Sequence, residues 1–253
     1  MKKTFGLIGF PLSHSFSKRY FTEKFISQGT SDSFEYLNFE LSDLSEFPQL
    51  LSQHPTLAGL NVTIPYKEKI IPFLDELKNH AIPVGAVNTI LVARDSEGNI
   101  THTEGFNTDV TGFYNTLKPL LKANHSGALV LGTGGASKAV VYALKMLQIP
   151  YLIVSRTRLH HTITYEDVSS ELLQKYPVIV NTTPLGTFPD VHTFPPIPYE
   201  KLEGSNLLYD LVYNPAESQF LKKGIHHGAQ AVNGHAMLVA QAEAAWKIWN
   251  PIG

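Results

Sequence analysis

Residues 128–147 read ALVLGTGGASKAVVYALKML, and the fold follows from how this stretch divides. Leu129, Val130 and Leu131 form a short apolar run that a sheet can bury on both faces. Gly132, Thr133, Gly134, Gly135, Ala136 and Ser137 come next, and then Ala139, Val140, Ala143, Leu144 and Leu147 recur at helical spacing. Strand, glycine turn and helix is the setting in which a glycine pattern signals dinucleotide binding. The first glycine permits the tight turn. The second lets the backbone approach a pyrophosphate, which rests on N–H groups at the positive end of the helix. Ser137 stands where the pattern has a third Gly or Ala. Taken alone, the segment also fits a tight strand-to-helix turn in some other α/β protein.

The next strand adds to this. Residues 150–154 (PYLIV) are apolar and end in Ser155, Arg156 and Thr157. At this place an NAD site carries Asp or Glu for the ribose 2′-hydroxyl. Here it carries Arg156, whose guanidinium can hold a 2′-phosphate through charge-assisted bonds and stack on adenine. The pattern points to NADP(H); the competing reading is a solvated surface arginine.

Composition bounds the rest. The 253 residues suffice for one large domain or two ordinary ones. A formal net charge of −2, with no polybasic run, favours neither nucleic acid nor a membrane surface. No stretch approaches transmembrane length. Cysteine is absent, so disulfides, thiolate catalysis and cysteine zinc sites are excluded, and a cytoplasmic location is expected. The eleven histidines include the adjacent pairs His160–His161 and His226–His227, which cannot share a helix face, so no metal site is expected.

In chain order, residues 4–10 read as a strand leading to Ser13, His14, Ser15 and Ser17, and a helix over about 18–28. Hydroxyls at a helix start suit a carboxylate, or serve as N-caps. Strands are predicted over 34–39 and 57–62, with a helix over 43–53 between them. Thr63 and Lys67 then fall on a strand-to-helix loop, with a helix expected from Lys67 through Leu77 despite Pro72. Residues 86–92 read as a strand containing Asn88, and residues 95–99 as a hairpin turn with a return strand over 100–103. Asp109 precedes a helix over 110–121 and could be its N-cap. After Thr157, strands are expected at 163–165, 178–181 and 207–213, a weak helix at 169–175, and a helix at 218–226. A short strand or turn is expected at 231–234, and a strong final helix over 236–249. The segment between Arg156 and Asn181 is short for a full crossover helix.

These residues resemble the shikimate dehydrogenases, nearly from end to end and in order. The resemblance rests on Ser15-Phe16-Ser17, the run 61–67 (NVTIPYK), 86–89 (AVNT), 107–109 (NTD), 132–137, 155–157, 181–186 (NTTPLG), 213–215 (YNP), and Asn233-Gly234 with 237–241 (MLVAQ). It implies an α/β protein of two domains. Residues 1–107 with the C-terminal helix 236–253 would form the substrate domain, and 108–235 a Rossmann-type domain, with the active site in the cleft between them. It implies NADPH-dependent reduction of 3-dehydroshikimate to shikimate by a monomer or homodimer. Lys67 and Asp109 would be the catalytic pair. Ser15 and Ser17 would hold the substrate carboxylate; Thr63, Asn88 and Gln241 would bind its hydroxyls; Tyr213 would line the pocket. Gly132, Thr133, Gly134, Gly135 and Ala136 would take the pyrophosphate, Ser155, Arg156 and Thr157 the 2′-phosphate, and Leu211 and Gly234 the nicotinamide. Several positions depart from the family: Lys18 for a proline, Tyr20-Phe21 for His-Asn, Val110 for a glycine, and His160 for a second arginine. Alternatives are an NAD-dependent quinate/shikimate dehydrogenase, a non-catalytic Rossmann sensor, and a different two-domain NADP dehydrogenase such as one acting on a folate.

Overall fold

The computed structural model describes residues 2–12 and 16–251. The chain packs as two compact units, Met1–Thr108 with Ala242–Gly253, and Asp109–Gln241. Among the described residues, no helix is long and apolar enough to cross a membrane.

The first unit holds β1 (Lys3–Gly9), α1 (Phe16–Ser27), β2 (Phe34–Glu40), α2 (Phe47–Gln53), β3 (Leu57–Val62), β4 (Glu76–Leu77), α3 (Ala81–Val84), β5 (Thr89–Arg94) and β6 (Ile100–Phe106). They form one sheet in the order β2-β1-β3-β5-β6-β4. The β1–β2, β1–β3 and β4–β6 pairs are parallel; β3–β5 and β5–β6 are antiparallel. Alternation along β1 divides the core. Ile8 packs with Leu50, Leu57, Leu60 and Ile90 on one face. Phe5 and Leu7 pack with Phe21, Phe25, Trp246 and Trp249 on the other.

The second aromatic pair comes from α8 (His235–Trp249), whose residues from Ala242 onward belong to the first unit. Trp249 stacks on Phe5 at 5.0 Å between centroids, and its Nε1–H donates to the Ile90 carbonyl at 2.9 Å. Gly59 makes this possible: a Cβ there would sit 2.3–2.7 Å from the Trp249 indole. A buried, hydrogen-bonded indole cannot swing aside. Gly59→Ala is therefore expected to cost about 1–3 kcal/mol, seen as a lower urea midpoint at unchanged slope.

The second unit holds α4 (Thr108–Leu117, from Asp109 on), β7 (Ala128–Leu131), α5 (Gly135–Met146), β8 (Tyr151–Ser155), β9 (Thr162–Thr164), α6 (Ser170–Lys175), β10 (Val178–Asn181), β11 (Leu207–Asp210), α7 (Gln219–His226) and β12 (Gln230–Val232), and α8 as far as Gln241. The strands pair in the order β12-β11-β10-β7-β8-β9, all parallel. Read from the β9 edge, this is the third, second, first, fourth, fifth and sixth strand, the order of a doubly wound dinucleotide-binding sheet. β7 and β10 are buried at every position, as strands covered on both faces must be.

Several expected elements differ. No helix runs from Lys67 to Leu77: the segment contains a single 3-10 turn at Ile71–Phe73 and then β4. Pro72 lacks an N–H and disfavours α geometry at Ile71, so the apolar spacing there belongs to a turn. The strand expected from Ala86 begins at Thr89, which places Asn88 at its mouth instead of inside it. The fourth helix ends at Leu117, where Pro119 shapes a 3-10 turn. Asp109 lies within its first turn and is not its N-cap. β11 stops at Asp210 because that side chain takes the Val212 N–H at 3.0 Å and turns the chain out of the sheet. The crossover between β8 and β10 is reduced to β9, a 3-10 turn and the six-residue α6.

Candidate active site

In the first unit, the candidate side chains cluster at strand ends. Thr63 follows β3; its N–H donates to the Ile8 carbonyl at 2.9 Å, and its methyl lies over Gly9, where a Cβ would approach it to 2.4 Å. The Lys67 carbonyl accepts from the Val87 N–H at 2.7 Å. Asn88 follows directly, with backbone bonds to Val62 and Phe106. The fold thus brings Thr63, Lys67 and Asn88 together on adjoining segments, although the helix expected to carry Lys67 is absent. Asn88 is 3% exposed and tied to the segment that follows β6: Oδ1 accepts from the Thr108 N–H at 2.6 Å, and Nδ2 donates to Thr108 Oγ1 at 3.0 Å. It therefore anchors the start of α4. Ser17 is half-buried in the first turn of α1. Ser15 lies outside the described residues.

In the second unit, Asp109 and Gln241 are both buried, at 7% exposure each. Gly112, one turn beyond Asp109, packs on α8 so closely that a Cβ would meet the Met237 carbonyl at 2.9 Å and Gln241 Cβ at 3.1 Å. This close crossing brings the Asp109 turn of α4 beside Gln241. Tyr213, half-buried, lies on the segment after β11.

The expected cofactor residues line the C-terminal edge of the parallel sheet. Gly132 follows β7 with φ +111°, a conformation that favours glycine, and a Cβ there would meet Thr182 Oγ1 at 2.8 Å and Thr183 at 3.0 Å. Gly134 is the N-cap of α5 and has open space on its Cβ side. Thr133 and Gly134 are exposed, and Gly135 and Ala136 begin the helix half-buried. Ser137, in place of the third small residue, is buried within α5. Ser155 closes β8 and is buried, whereas Arg156 and Thr157 are exposed. The Arg156 charge reaches the Tyr165 phenol and opposes the upward shift that burial gives it. Leu211 N–H donates to the Asn181 carbonyl at 3.0 Å, and Gly234 lies against it: a Cβ on Gly234 would be 2.3 Å from the Leu211 oxygen. A bare backbone at Gly132 and Gly134, a helix N-terminus and an exposed guanidinium at the next strand end suit a phosphorylated dinucleotide.

Sequence reasoning passed over several residues that organise these edges. Asp210 is fully buried at the end of β11 and binds Asn181 Nδ2 at 2.9 Å, the Val212 N–H and the Ser218 hydroxyl. Burial pushes its carboxyl up to about 6. A lone acid ending an apolar strand was its only sequence signal. Arg158 Nη2 donates to both carboxylate oxygens of Asp167 at 2.7–2.8 Å, and Asp167 also accepts from Thr164, whose N–H is the main influence holding its carboxyl below the usual range. Glu76, His102 and Glu104 gather on the β4–β6 edge, with the Lys78 ammonium 2.6 Å from Glu76.

Comparison with known proteins gives the family. Residues 7–90 match the family model described as the shikimate dehydrogenase substrate binding domain. A shikimate dehydrogenase (NADP(+)) from Carboxydothermus hydrogenoformans is 36% identical over 267 residues, which cover 99% of this chain and 92% of the relative. The crystal structure of shikimate 5-dehydrogenase from Thermus thermophilus in complex with NADP(H) and shikimate matches with a TM-score of 0.83 and 29% identity, covering 99% of this chain and 94% of that one. Quinate dehydrogenase from Corynebacterium glutamicum in complex with NAD matches with a TM-score of 0.84 and 25% identity, over 99% of this chain and 94% of that one. With identity at this level along nearly its whole length, the chain belongs to the shikimate dehydrogenase family.

Proposed function

We propose that this chain is an NADP-dependent oxidoreductase that reversibly reduces 3-dehydroshikimate to shikimate, the step that feeds aromatic amino-acid biosynthesis. One observation carries the reading: the Gly132 turn, Arg156, Leu211 and Gly234 stand in a row along a parallel sheet of dinucleotide-binding order, in a chain 36% identical to an NADP(+) shikimate dehydrogenase. Residues 1–107 with 236–253 serve as the substrate domain and 108–235 as the cofactor domain.

The bound cofactor supplies a hydride at C4 of its nicotinamide. The chain's residues do the rest. Gly132 to Ala136 receive the pyrophosphate, and Ser155, Arg156 and Thr157 the 2′-phosphate. Leu211 and Gly234 border the nicotinamide. Ser15 and Ser17 bind the substrate carboxylate, Thr63, Asn88 and Gln241 its hydroxyls, and Tyr213 borders the carboxylate end. As the ketone carbon gains hydride, its oxygen gains negative charge and needs a proton. Lys67 stabilises that charge and delivers the proton, and Asp109 holds the ammonium. In the oxidative direction Lys67 takes the hydroxyl proton. The protein acts as a cytoplasmic monomer or homodimer, without nucleic-acid or membrane partners.

Initial rates with NADP+ and NAD+, each with shikimate and with quinate, test the reading. The highest kcat/KM is expected for shikimate with NADP+; preference for quinate with NAD+ would replace it with the quinate reading. That rival draws on one feature: His160 stands where the family has a second arginine to support the 2′-phosphate, which softens selection for that phosphate. Arg156→Ala is expected to raise KM for NADP+ about tenfold while leaving that for NAD+ nearly unchanged. An exposed guanidinium places the charge-assisted bond near the lower end of its range, about 1.5 kcal/mol. Equal losses with both cofactors would remove the 2′-phosphate role.

A further inference from the structure

Asp210 ends β11, is fully buried, and has no part in the mechanism given above. Both of its carboxylate oxygens are engaged. Oδ1 accepts from the Val212 N–H at 3.0 Å and from Asn181 Nδ2 at 2.9 Å. Oδ2 accepts from the hydroxyl of Ser218, the N-cap of α7.

Followed outward, the Oδ1 bonds reach both ends of the dinucleotide site. The bond from Val212 closes a tight turn around Leu211. Leu211 is also held from behind, because its own N–H donates to the Asn181 carbonyl at 3.0 Å. The Val212 carbonyl in turn accepts from the Gly234 N–H at 3.0 Å, and Gly234 lies so near Leu211 that a Cβ would meet its oxygen at 2.3 Å. One Asp210 oxygen therefore sets the backbone course of the two residues that border the nicotinamide. The same oxygen leads the other way. Asn181 turns its amide nitrogen to Asp210 and its Oδ1 to Thr183, accepting from the Thr183 N–H at 3.0 Å and the Thr183 hydroxyl at 2.6 Å. Thr183 is one of the two residues that crowd Gly132, where the pyrophosphate turn begins.

We propose that Asp210 is a positioning residue for hydride transfer: through Oδ1 it fixes the Leu211–Gly234 backbone relative to the Gly132 turn, and so places the nicotinamide end of a cofactor whose adenylate end is held elsewhere. The proposal rests on the reading that Leu211 and Gly234 border the nicotinamide. Asp210 itself touches neither cofactor nor substrate. It supplies one acceptor shared by donors from two strand ends, a task that an amide oxygen can also perform and a methyl group cannot.

Fluorescence titrations with NADP+ and with adenosine 2′,5′-bisphosphate separate the two ends, since the bisphosphate keeps the adenylate part and lacks the nicotinamide. Asp210→Ala is expected to weaken NADP+ about tenfold, the loss of one charge-assisted bond, and to leave Kd for the bisphosphate nearly unchanged. Asp210→Asn restores an acceptor at the same place and should bind NADP+ as the native protein does. Ser218→Ala cuts only the bond to Oδ2. It should lower the urea midpoint through loss of the α7 cap and leave both Kd values unaltered. A merely structural Asp210 would instead weaken both ligands alike in Asp210→Ala, and that result overturns the proposal, as does an unchanged Kd for NADP+. Asp210→Asn and Ser218→Ala keep the Oδ1 bonds and test the proposal even if Asp210→Ala does not fold: selective weakening of NADP+ in either one overturns it. Failure of the native protein to bind both NADP+ and the bisphosphate would refute the cofactor reading itself.

Discussion

Lys67→Ala is expected to lower kcat by about 10²–10⁴ while leaving KM for shikimate nearly unchanged. That range is what a positioned proton donor contributes. The fold gives a reason to expect a clean effect. Lys67 is held through its backbone, by the bond from Val87 N–H to its carbonyl, and its side chain is only half-buried. Truncation removes the amine and leaves that backbone bond in place. The chemistry also says which replacement should fail to rescue. Arginine keeps the positive charge but stays protonated at any working pH. Lys67→Arg should therefore retain charge stabilisation yet remain poor in shikimate oxidation, where the group must accept a proton. Initial rates in both directions measure this. A large rise in KM at normal kcat would reduce Lys67 to a binding residue, and full activity of Lys67→Arg in oxidation would exclude it as the base.

The parts of the fold legible in the sequence were those fixed by local chemistry. β3 and β10 form at their expected positions because short apolar runs end at residues that must turn. The Gly132–Gly135 turn forms because a positive φ and crowding by Thr182 admit no other residue at its first position. What could not be read depends on distant partners. The apolar spacing after Lys67 mimicked a helix, but Ile70, Ile71 and Leu74 pack into the β3–β5 core from turns and Leu77 from the short β4. Asn88 was recognised as a polar residue that needs a partner; that the partner is Thr108, twenty residues on, only the fold could show. Asp210 carried no motif at all. Its importance lies in what surrounds it, and burial is not written in the residue itself.

Asp210 makes the second large prediction. Its carboxyl is raised from 3.8 in the unfolded chain to about 6 in the native protein by burial. A raised carboxyl pKa means that the native state holds the proton more tightly than the unfolded one. The stability from this group is present in full below pH 3.8 and is lost as pH rises through about 6. The shift corresponds to about 3 kcal/mol between the two limits. Other carboxylates act oppositely: Asp43, Asp75, Asp95 and Asp167 are held low by hydrogen bonds and lose stability as pH falls. The overall pH curve therefore hides Asp210, and only a difference between proteins isolates it. Asp210→Asn suits the purpose. Its carbonyl can accept from Asn181 Nδ2 and Val212 N–H, which both bond the present Oδ1, and its amide can donate to Ser218 Oγ. The variant should gain up to about 3 kcal/mol over the native protein between pH 4 and pH 7.5, read by urea unfolding at each pH. Asp210→Ala should do the reverse at pH 7.5. It strands three buried donors, each worth about 1–3 kcal/mol, and releases the loops after β10 and β11 together. Parallel pH curves for Asp210→Asn and the native protein would mean that Asp210 is ionised in the fold without penalty, its three donors having fully repaid its burial.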